Sequence, residues 1–252
     1  MSQAPVTPEG GFRTPQEWEA VQAYVRAFIN SRDPVEVRLA NFPKYVRRQD
    51  LTRFLALYEL FKKVLPVKGS IVECGVYRGF GLMAWAHFSA ILEPTNLTRR
   101  IYGFDTFSGF VSVSEQDQSQ LRTPQAGELS SDSSEELLEL IRIYDSNRFL
   151  GHIPKVYLIE GDALETIPKF VHQNPHLVVS LLFLDFDLYE PTKVAIQHFV
   201  PRMPKGAVIA FDELDNPIWP GETQAVVDTL GIRGLELQRL EWDPYIAYAL
   251  IQ

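Results

Sequence analysis

Apolar positions along this chain follow two different periods. Between residues 15 and 30, Trp18, Val21, Tyr24, Val25 and Phe28 recur at intervals of three and four, which predicts a helix with one buried stripe. A second helical run from about 50 to 65 puts Leu51, Phe54, Leu55, Tyr58 and Phe61 on one face, with Asp50 as its N-cap. The basic stretch 41–49 between them reads either as a cover for an acidic site or as a solvated connector. From Ser70 the pattern changes to short runs of Val, Ile, Leu and Phe that alternate with turns and helical periods, which predicts a parallel sheet with helices on both faces. Strands are expected at about 70–75, 100–105, 155–160, 180–185 and 206–212, followed by a closing hairpin at 234–241 and 245–251. Helices are expected at about 79–92, 133–148, 163–173, 190–200 and 221–230, the second opened by a Ser133–Glu136 capping box. Residues 107–132 are polar and aperiodic, as in a lid or a disordered insert. The expected organisation is a flexible tail at 1–14, a helical extension at 15–66 and one α/β domain at 67–252.

Composition narrows the partners. With 252 residues, 46% hydrophobic and 22% charged, the chain suits one main globular domain with an appendage. A formal net charge of -8 argues against a nucleic-acid partner, which needs clustered Lys and Arg. No apolar run is long enough to span a bilayer, and the start of the chain lacks a signal-peptide pattern; with Cys74 as the single cysteine, a cytoplasmic location and no membrane association are expected. The N-terminal helices are expected to pack against a second subunit in a homo-oligomer.

The chemistry gathers where apolar runs end in acids. Phe183-Leu184-Asp185-Phe186-Asp187 and Val208-Ile209-Ala210-Phe211-Asp212-Glu213 place four carboxylates at the carboxyl ends of two strands, where open α/β sheets bind ligands. Neighbouring carboxylates repel unless something compensates. A divalent metal on Asp185, Asp212 and Glu213, with Asp187 beside it as a base, is one such compensation; a helix N-cap and a solvated turn residue are the plainer reading of Asp185 and Asp187. The turn after the first sheet strand carries Gly75, Gly79 and Gly81, where missing side chains would let a ligand approach the backbone. Asp105 ends the second strand and can accept from ribose hydroxyls. Asp162 ends the third and can take an adenine amine, or serve only as the next helix's N-cap. Glu73, an acid inside an apolar strand, needs a cationic ligand or a ring of amides. S-adenosylmethionine carries a sulfonium and an ammonium and no phosphate, so these positions favour methyl transfer over hydride transfer. Trp219 and Tyr189 flank the acidic rim, either to stack on a sugar face or as core. His87, His152, His172, His176 and His198 have no metal-ligand spacing.

In this order, VECGVYRG at 72–79, GFDTFSG at 103–109, GDALETIP at 161–168, LDFDLYE at 184–190 and PGETQAV at 220–226 resemble the macrocin O-methyltransferase family. The likeness covers roughly residues 47–230. It implies a Rossmann-like class I methyltransferase sheet of about seven strands with an N-terminal helical appendage, and S-adenosylmethionine and magnesium (or another divalent cation) as cofactors. The acceptor it implies is a small-molecule hydroxyl, on a sugar or glycosylated natural product of antibiotic biosynthesis. Cofactor contacts are implied for Glu73, Gly75, Tyr77, Arg78 and Gly79, for Asp105, Thr106 and Ser108, for Asp162 and Ala163, and for Asp185. Asp185, Asp212 and Glu213 are the implied metal ligands and Asp187 the general base. The chain departs from the family pattern in having Glu213 where a second Asp is more frequent, and Phe186 where Gly is usual. An aspartate with an ordinary pKa of about 3.9 cannot deprotonate a free alcohol, so metal and base are expected to act together. A metal-dependent nucleotide-sugar glycosyltransferase using the Asp-x-Asp and a non-catalytic S-adenosylmethionine-binding protein are the alternatives.

Overall fold

A computed structural model describes residues 14–252; the expected tail lies outside the described residues except for Thr14. The chain divides into two compact units, 1–55 and 56–252. In the first, Thr14 and Glu17 close a capping box on α1 (Pro15–Ile29). A short helix α2 (Val35–Ala40) comes next, which the sequence pattern did not predict. Arg38 lies 4.7 Å over the Phe28 ring, and Phe28 meets Tyr45 edge-on at 5.3 Å. The expected stripe of α1 is not buried: Tyr24 is 39% and Val25 47% exposed. In the basic stretch 41–49, Lys44 pairs with Asp33 and Arg47 with Asp50, so these cations are spent on neighbouring acids.

The unit boundary falls within α3 (Arg48–Val64). Its second half belongs to the larger unit because Ala56, Leu57, Leu60, Phe61 and Val64 are buried there, with Phe61 edge-on to Phe88 at 5.8 Å. The larger unit then runs β1 (Ser70–Cys74), α4 (Phe80–Leu92), β2 (Ile101–Asp105), α5 (Ser134–Ser146), β3 (Val156–Glu160), α6 (Ala163–Gln173), β4 (Val179–Leu184), α7 (Tyr189–Phe199), β5 (Val208–Phe211), α8 (Pro220–Thr229), β6 (Gln238–Arg239) and β7 (Ala247–Leu250). These form one seven-stranded sheet in the order β3-β2-β1-β4-β5-β7-β6. β1 to β5 are parallel, and β7 is antiparallel to both β5 and β6. The central strands β1, β4 and β5 are buried along their whole length, as unbroken apolar runs between two helical layers should be. Chain order reverses between β1 and β4, which opens a crevice outside their carboxyl ends.

The segment 107–132 is tied together by its own bonds, so it is not a disordered insert. Phe110 and residues 127–128 exchange backbone hydrogen bonds of 2.8 and 3.0 Å, Phe107 O accepts from Ser131 and Asp132 N–H, and Arg122 pairs with Glu128 at 2.6 Å. Among the described residues, no helix is long and apolar enough to cross a membrane.

Candidate active site

β1, β4 and β5 end in step. Asp185 N–H donates to Cys74 O at 2.8 Å and Asp212 N–H to Leu184 O at 3.0 Å, which carries the ladder one residue past each strand and sets Gly75, Asp185 and Asp212 side by side. The side chains that the three loop glycines lack are replaced by the protein's own atoms. A Cβ on Gly75, at φ +100°, would land on the Asp185 carbonyl; one on Gly79, at φ +83°, would land on Leu137; one on Gly81 would land on the Glu73 carboxylate. Glu73, only 2% exposed in β1, therefore lies against the first turn of α4.

The glycine turn after β1 is organised by one acid. Asp105 accepts from Val76 and Tyr77 N–H through Oδ2 (2.8 and 2.7 Å) and from Phe107 N–H through Oδ1 (2.7 Å). Its carboxylate fixes the glycine turn, and ribose hydroxyls would have to use its remaining lone pairs. Tyr77 is exposed, with φ 50°, and its carbonyl accepts from Ser131 and Ser133 Oγ. The exposed Arg78 lies 5.2 Å over the Tyr77 ring. Thr106 Oγ1 donates to Gly109 O at 2.7 Å, and Ser108 is exposed. Asp162 caps α6, accepting from Leu164 N–H at 2.9 Å, with buried Ala163 as the first helical residue.

At the acidic rim, Asp187 is 8% exposed and holds φ 63°, a left-handed conformation that is uncommon outside glycine. The N-cap of α7 is Leu188, with no side-chain cap bond of its own, so the reading of Asp185 and Asp187 as a cap and a solvated turn residue does not describe them. Asp212 is half-buried and Glu213 buried. Glu213 Oε2 accepts from Asn216 Nδ2. Among the described residues no set of three His, Cys, Asp or Glu is gathered to hold a metal, so Asp185, Asp212 and Glu213 share a rim without closing into a three-carboxylate cage.

Two acids at this rim escape sequence reasoning. Glu222 is fully buried; its Oε1 accepts from Glu213 N–H at 2.8 Å and its Oε2 has no hydrogen-bond partner. Burial, then the charges of Asp212 and Glu213 and lastly that of Asp187, push its carboxyl well above the usual range against the pull of the Glu213 N–H. Glu222 thus lies within electrostatic reach of Asp212, Glu213 and Asp187. Asp117, 2% exposed, reaches in from the 107–132 segment to accept from Tyr189 N–H at 2.6 Å. Trp219 is 1% exposed with Arg122 4.2 Å over its ring, and Tyr189 is buried with its hydroxyl on Asp228 Oδ2 at 2.9 Å. Both aromatics are core.

The family model described as Macrocin-O-methyltransferase (TylF) matches residues 47–239. The structure titled calicheamicin methyltransferase CalS11 is 38% identical, with 94% of this chain and 93% of that one covered and a TM-score of 0.89. A second structure, of apo CalS11 described as a TDP-rhamnose 3'-O-methyltransferase, is 36% identical, with 94% and 95% covered and a TM-score of 0.82. The O-methyltransferase NovP, 22% identical over 79% of each chain with a TM-score of 0.62, shares the fold. No curated protein sequence matches significantly. The match over most of the chain, on a seven-stranded sheet whose β4 and β5 end in the acidic rim, shows that the chain belongs to the macrocin O-methyltransferase family and is an S-adenosylmethionine-dependent O-methyltransferase.

Proposed function

We propose that the acceptor is a sugar hydroxyl, that the sugar is carried on a nucleoside diphosphate in antibiotic biosynthesis, and that Asp187 is the general base. The observation that carries the base assignment is Asp187 itself: a buried aspartate held left-handed at the end of β4 and within electrostatic reach of Glu222, a conformation that persists only where the surroundings enforce it. The acceptor class rests on 36% identity, over nearly the whole length, to a protein described as acting on TDP-rhamnose.

In this reading Glu73, Gly75, Tyr77, Arg78, Gly79, Asp105, Thr106, Ser108, Asp162, Ala163 and Asp185 surround the methyl donor. The acceptor O–H gives its proton to the Asp187 carboxylate as its oxygen attacks the sulfonium methyl. A C–O bond forms, the S–C bond breaks, and the electron pair stays on sulfur, leaving S-adenosylhomocysteine. A divalent cation, when bound, supplies the acidity that a free alcohol lacks. The donor chemistry fits such a cation: the rim offers the hard carboxylate oxygens of Asp185 and Asp212. Magnesium is held by one or two carboxylates plus waters and substrate oxygens, so Asp185 and Asp212 suffice, and Glu213 joins if it releases Asn216. The exposed apolar stripe of α1 supports a homo-oligomer.

The test is methyl transfer from S-adenosylmethionine to TDP-rhamnose, with EDTA and with Asp187→Asn. Turnover that vanishes in both while S-adenosylhomocysteine still binds supports the reading. Turnover by Asp187→Asn removes the base assignment, and turnover in EDTA removes the metal. Because the acceptor itself carries a diphosphate, affinity for nucleoside diphosphates does not by itself favour a glycosyltransferase; the fate of the methyl group does.

A further inference from the structure

Asp187 has a left-handed backbone, which costs a non-glycine residue on the order of 1 kcal/mol or more and must be imposed by neighbours. The helix that starts immediately after it cannot cap itself: Leu188 is the N-cap of α7 and has no side-chain acceptor. The missing acceptor comes from 72 residues away in sequence, as Asp117 Oδ1 takes the Tyr189 N–H at 2.6 Å. The same carboxylate is fixed on its other side, where Oδ2 accepts from Ser114 N–H at 2.7 Å and Ser114 Oγ at 2.6 Å. It also abuts the start of α8, since a Cβ on Gly221 would fall on Asp117 Oδ1. One buried carboxylate thus joins the 107–132 segment to the first residues of both helices that carry the acidic rim. An anion is favoured there by the α7 N-terminus. Phe110 edge-on to Trp219 at 5.8 Å and Arg122 over its ring brace the same segment against the residue preceding α8. At the far end of the segment, Ser131 Oγ is tied to the Tyr77 carbonyl in the glycine turn at 2.9 Å.

We propose that Asp117 is a positioning residue for methyl transfer: by capping α7 from the inserted segment it fixes the left-handed turn that aims Asp187, and it makes that segment a docked wall between the glycine turn and the rim. This rests on Asp187 being the base. The role differs from binding, because Asp117 reaches the reaction only through the backbone at Tyr189.

The experiment compares Asp117→Ala, Asp117→Asn, Gly221→Ala and Asp187→Asn for kcat and acceptor KM with TDP-rhamnose. It also measures S-adenosylhomocysteine affinity by calorimetry and hydrogen exchange at the Tyr189 amide. A misaimed catalytic group costs up to about 100-fold. Asp117→Ala is therefore expected to lose about 10- to 100-fold in kcat, with acceptor KM and S-adenosylhomocysteine affinity within about threefold and faster exchange at Tyr189. Asp117→Asn can keep an oxygen for the Tyr189 N–H only by turning its amide onto the Ser114 N–H, and should lose less kcat than Asp117→Ala without matching the parent. A Cβ at Gly221 would fall on Asp117 Oδ1 and meet Tyr189 N at 2.7 Å, so Gly221→Ala crowds both partners of the cap and should also lose kcat. The proposal is overturned if Asp117→Ala retains kcat within about twofold, or if Asp117→Asn matches its loss with cofactor affinity falling in parallel, which is a folding role. Should Asp117→Ala not fold, Asp117→Asn and Gly221→Ala decide in the same terms, and full kcat in Gly221→Ala is the refuting result. Turnover by Asp187→Asn would bring down the base reading itself; a dead Asp187→Asn beside a fully active Asp117→Ala would bring down only the role of Asp117.

Discussion

Gly81→Ala sets two effects of known sign against each other. Gly81 is the second residue of α4 and has no positive φ, so alanine at an ordinary helical position would stabilise by about 1 kcal/mol. Here its Cβ would land on Glu73 Oε1 and lie 2.9 Å from Glu73 Cδ. Glu73 is 2% exposed inside β1, so its carboxylate can move only by giving up its present contacts in a buried place, a loss of about 1 to 3 kcal/mol for a buried polar group and more when it is charged. The penalty exceeds the propensity gain, and the net change should be about 1 to 2 kcal/mol destabilising. If Glu73 also faces the cationic methyl donor, moving it should weaken S-adenosylmethionine binding about tenfold, equivalent to about 1.4 kcal/mol. Thermal unfolding and titration calorimetry read the two quantities. A cycle with Glu73→Asp, whose shorter arm clears the new methyl, should show coupling of at least about 1 kcal/mol. A Gly81→Ala protein that is more stable than its parent, binds the donor normally and shows additive effects with Glu73→Asp would refute the placement of Glu73 over the helix.

Glu222→Gln keeps an acceptor for the Glu213 N–H and cannot ionise. Because the folded Glu222 carboxyl titrates well above its ordinary 4.5, the stability of the parent relative to the variant is fully present below that pH and is lost as pH rises toward the folded value. Unfolding curves in EDTA should therefore diverge in favour of Glu222→Gln from pH 4 to 8; parallel curves would mean the carboxyl is not held neutral. Arg99, 2% exposed, donates to the carbonyls of Gly69, Val64 and Val67, to Ser180 Oγ and to Glu93. Arg99→Lys cannot span these acceptors and should cost about 2 to 4 kcal/mol, lowering Tm by about 5 to 15 °C; a shift below about 2 °C would contradict the network's role. Lys155 donates to Ser89 Oγ at 2.8 Å and Asn96 O at 3.0 Å, and burial lowers its pKa from 10.5 to about 8 against the pull of Glu93. The unfolded chain then binds the extra proton, so stability relative to Lys155→Met should rise between pH 8 and about 10 and stay flat below; a fall across that window would reverse the assignment.

The strands were legible because short apolar runs end at a turn residue or an acid, as β4 and β5 do, and β1 was legible despite the Glu73 inside it because Gly75 closes it. The last hairpin was legible only in outline. Its first strand shrinks to Gln238–Arg239 at the sheet edge, because the polar residues of 234–241 have one neighbour, β7, to pair with. α2 escaped because six residues after a proline make less than two turns, too few for a period to show. At the site, Asp185 and Asp212 announced themselves by ending apolar runs. Glu222 did not: in PGETQ it reads as a solvated first turn, and its burial is decided by how α8 packs beside α7. Asp117 is invisible in principle, since its partner is a backbone amide 72 residues away. The loop glycines were read as space for a ligand; sequence records the missing side chain but not what fills the gap, and the structure fills it with Asp185, Leu137 and Glu73.

That distinction bears on how an enzyme keeps so acidic a rim. Carboxylates on a surface are ordinarily neutralised by Lys or Arg, and elsewhere this chain does so, pairing Arg99 with Glu93, Arg122 with Glu128 and Arg148 with Asp145. Around the crevice three acids instead accept from neutral donors: Asp105 from three backbone amides, Asp117 from Tyr189 and Ser114, and Asp162 from Leu164. Amides hold a carboxylate in place without cancelling its charge, so the negative potential stays available to a ligand. The methyl donor is such a ligand. Its sulfonium charge is attracted before transfer and is gone afterwards, when sulfur has become a neutral thioether. A carboxylate held by amides, as Asp105 is, therefore favours the charged donor over the spent product by electrostatics, a discrimination that the same carboxylate paired with arginine would supply more weakly.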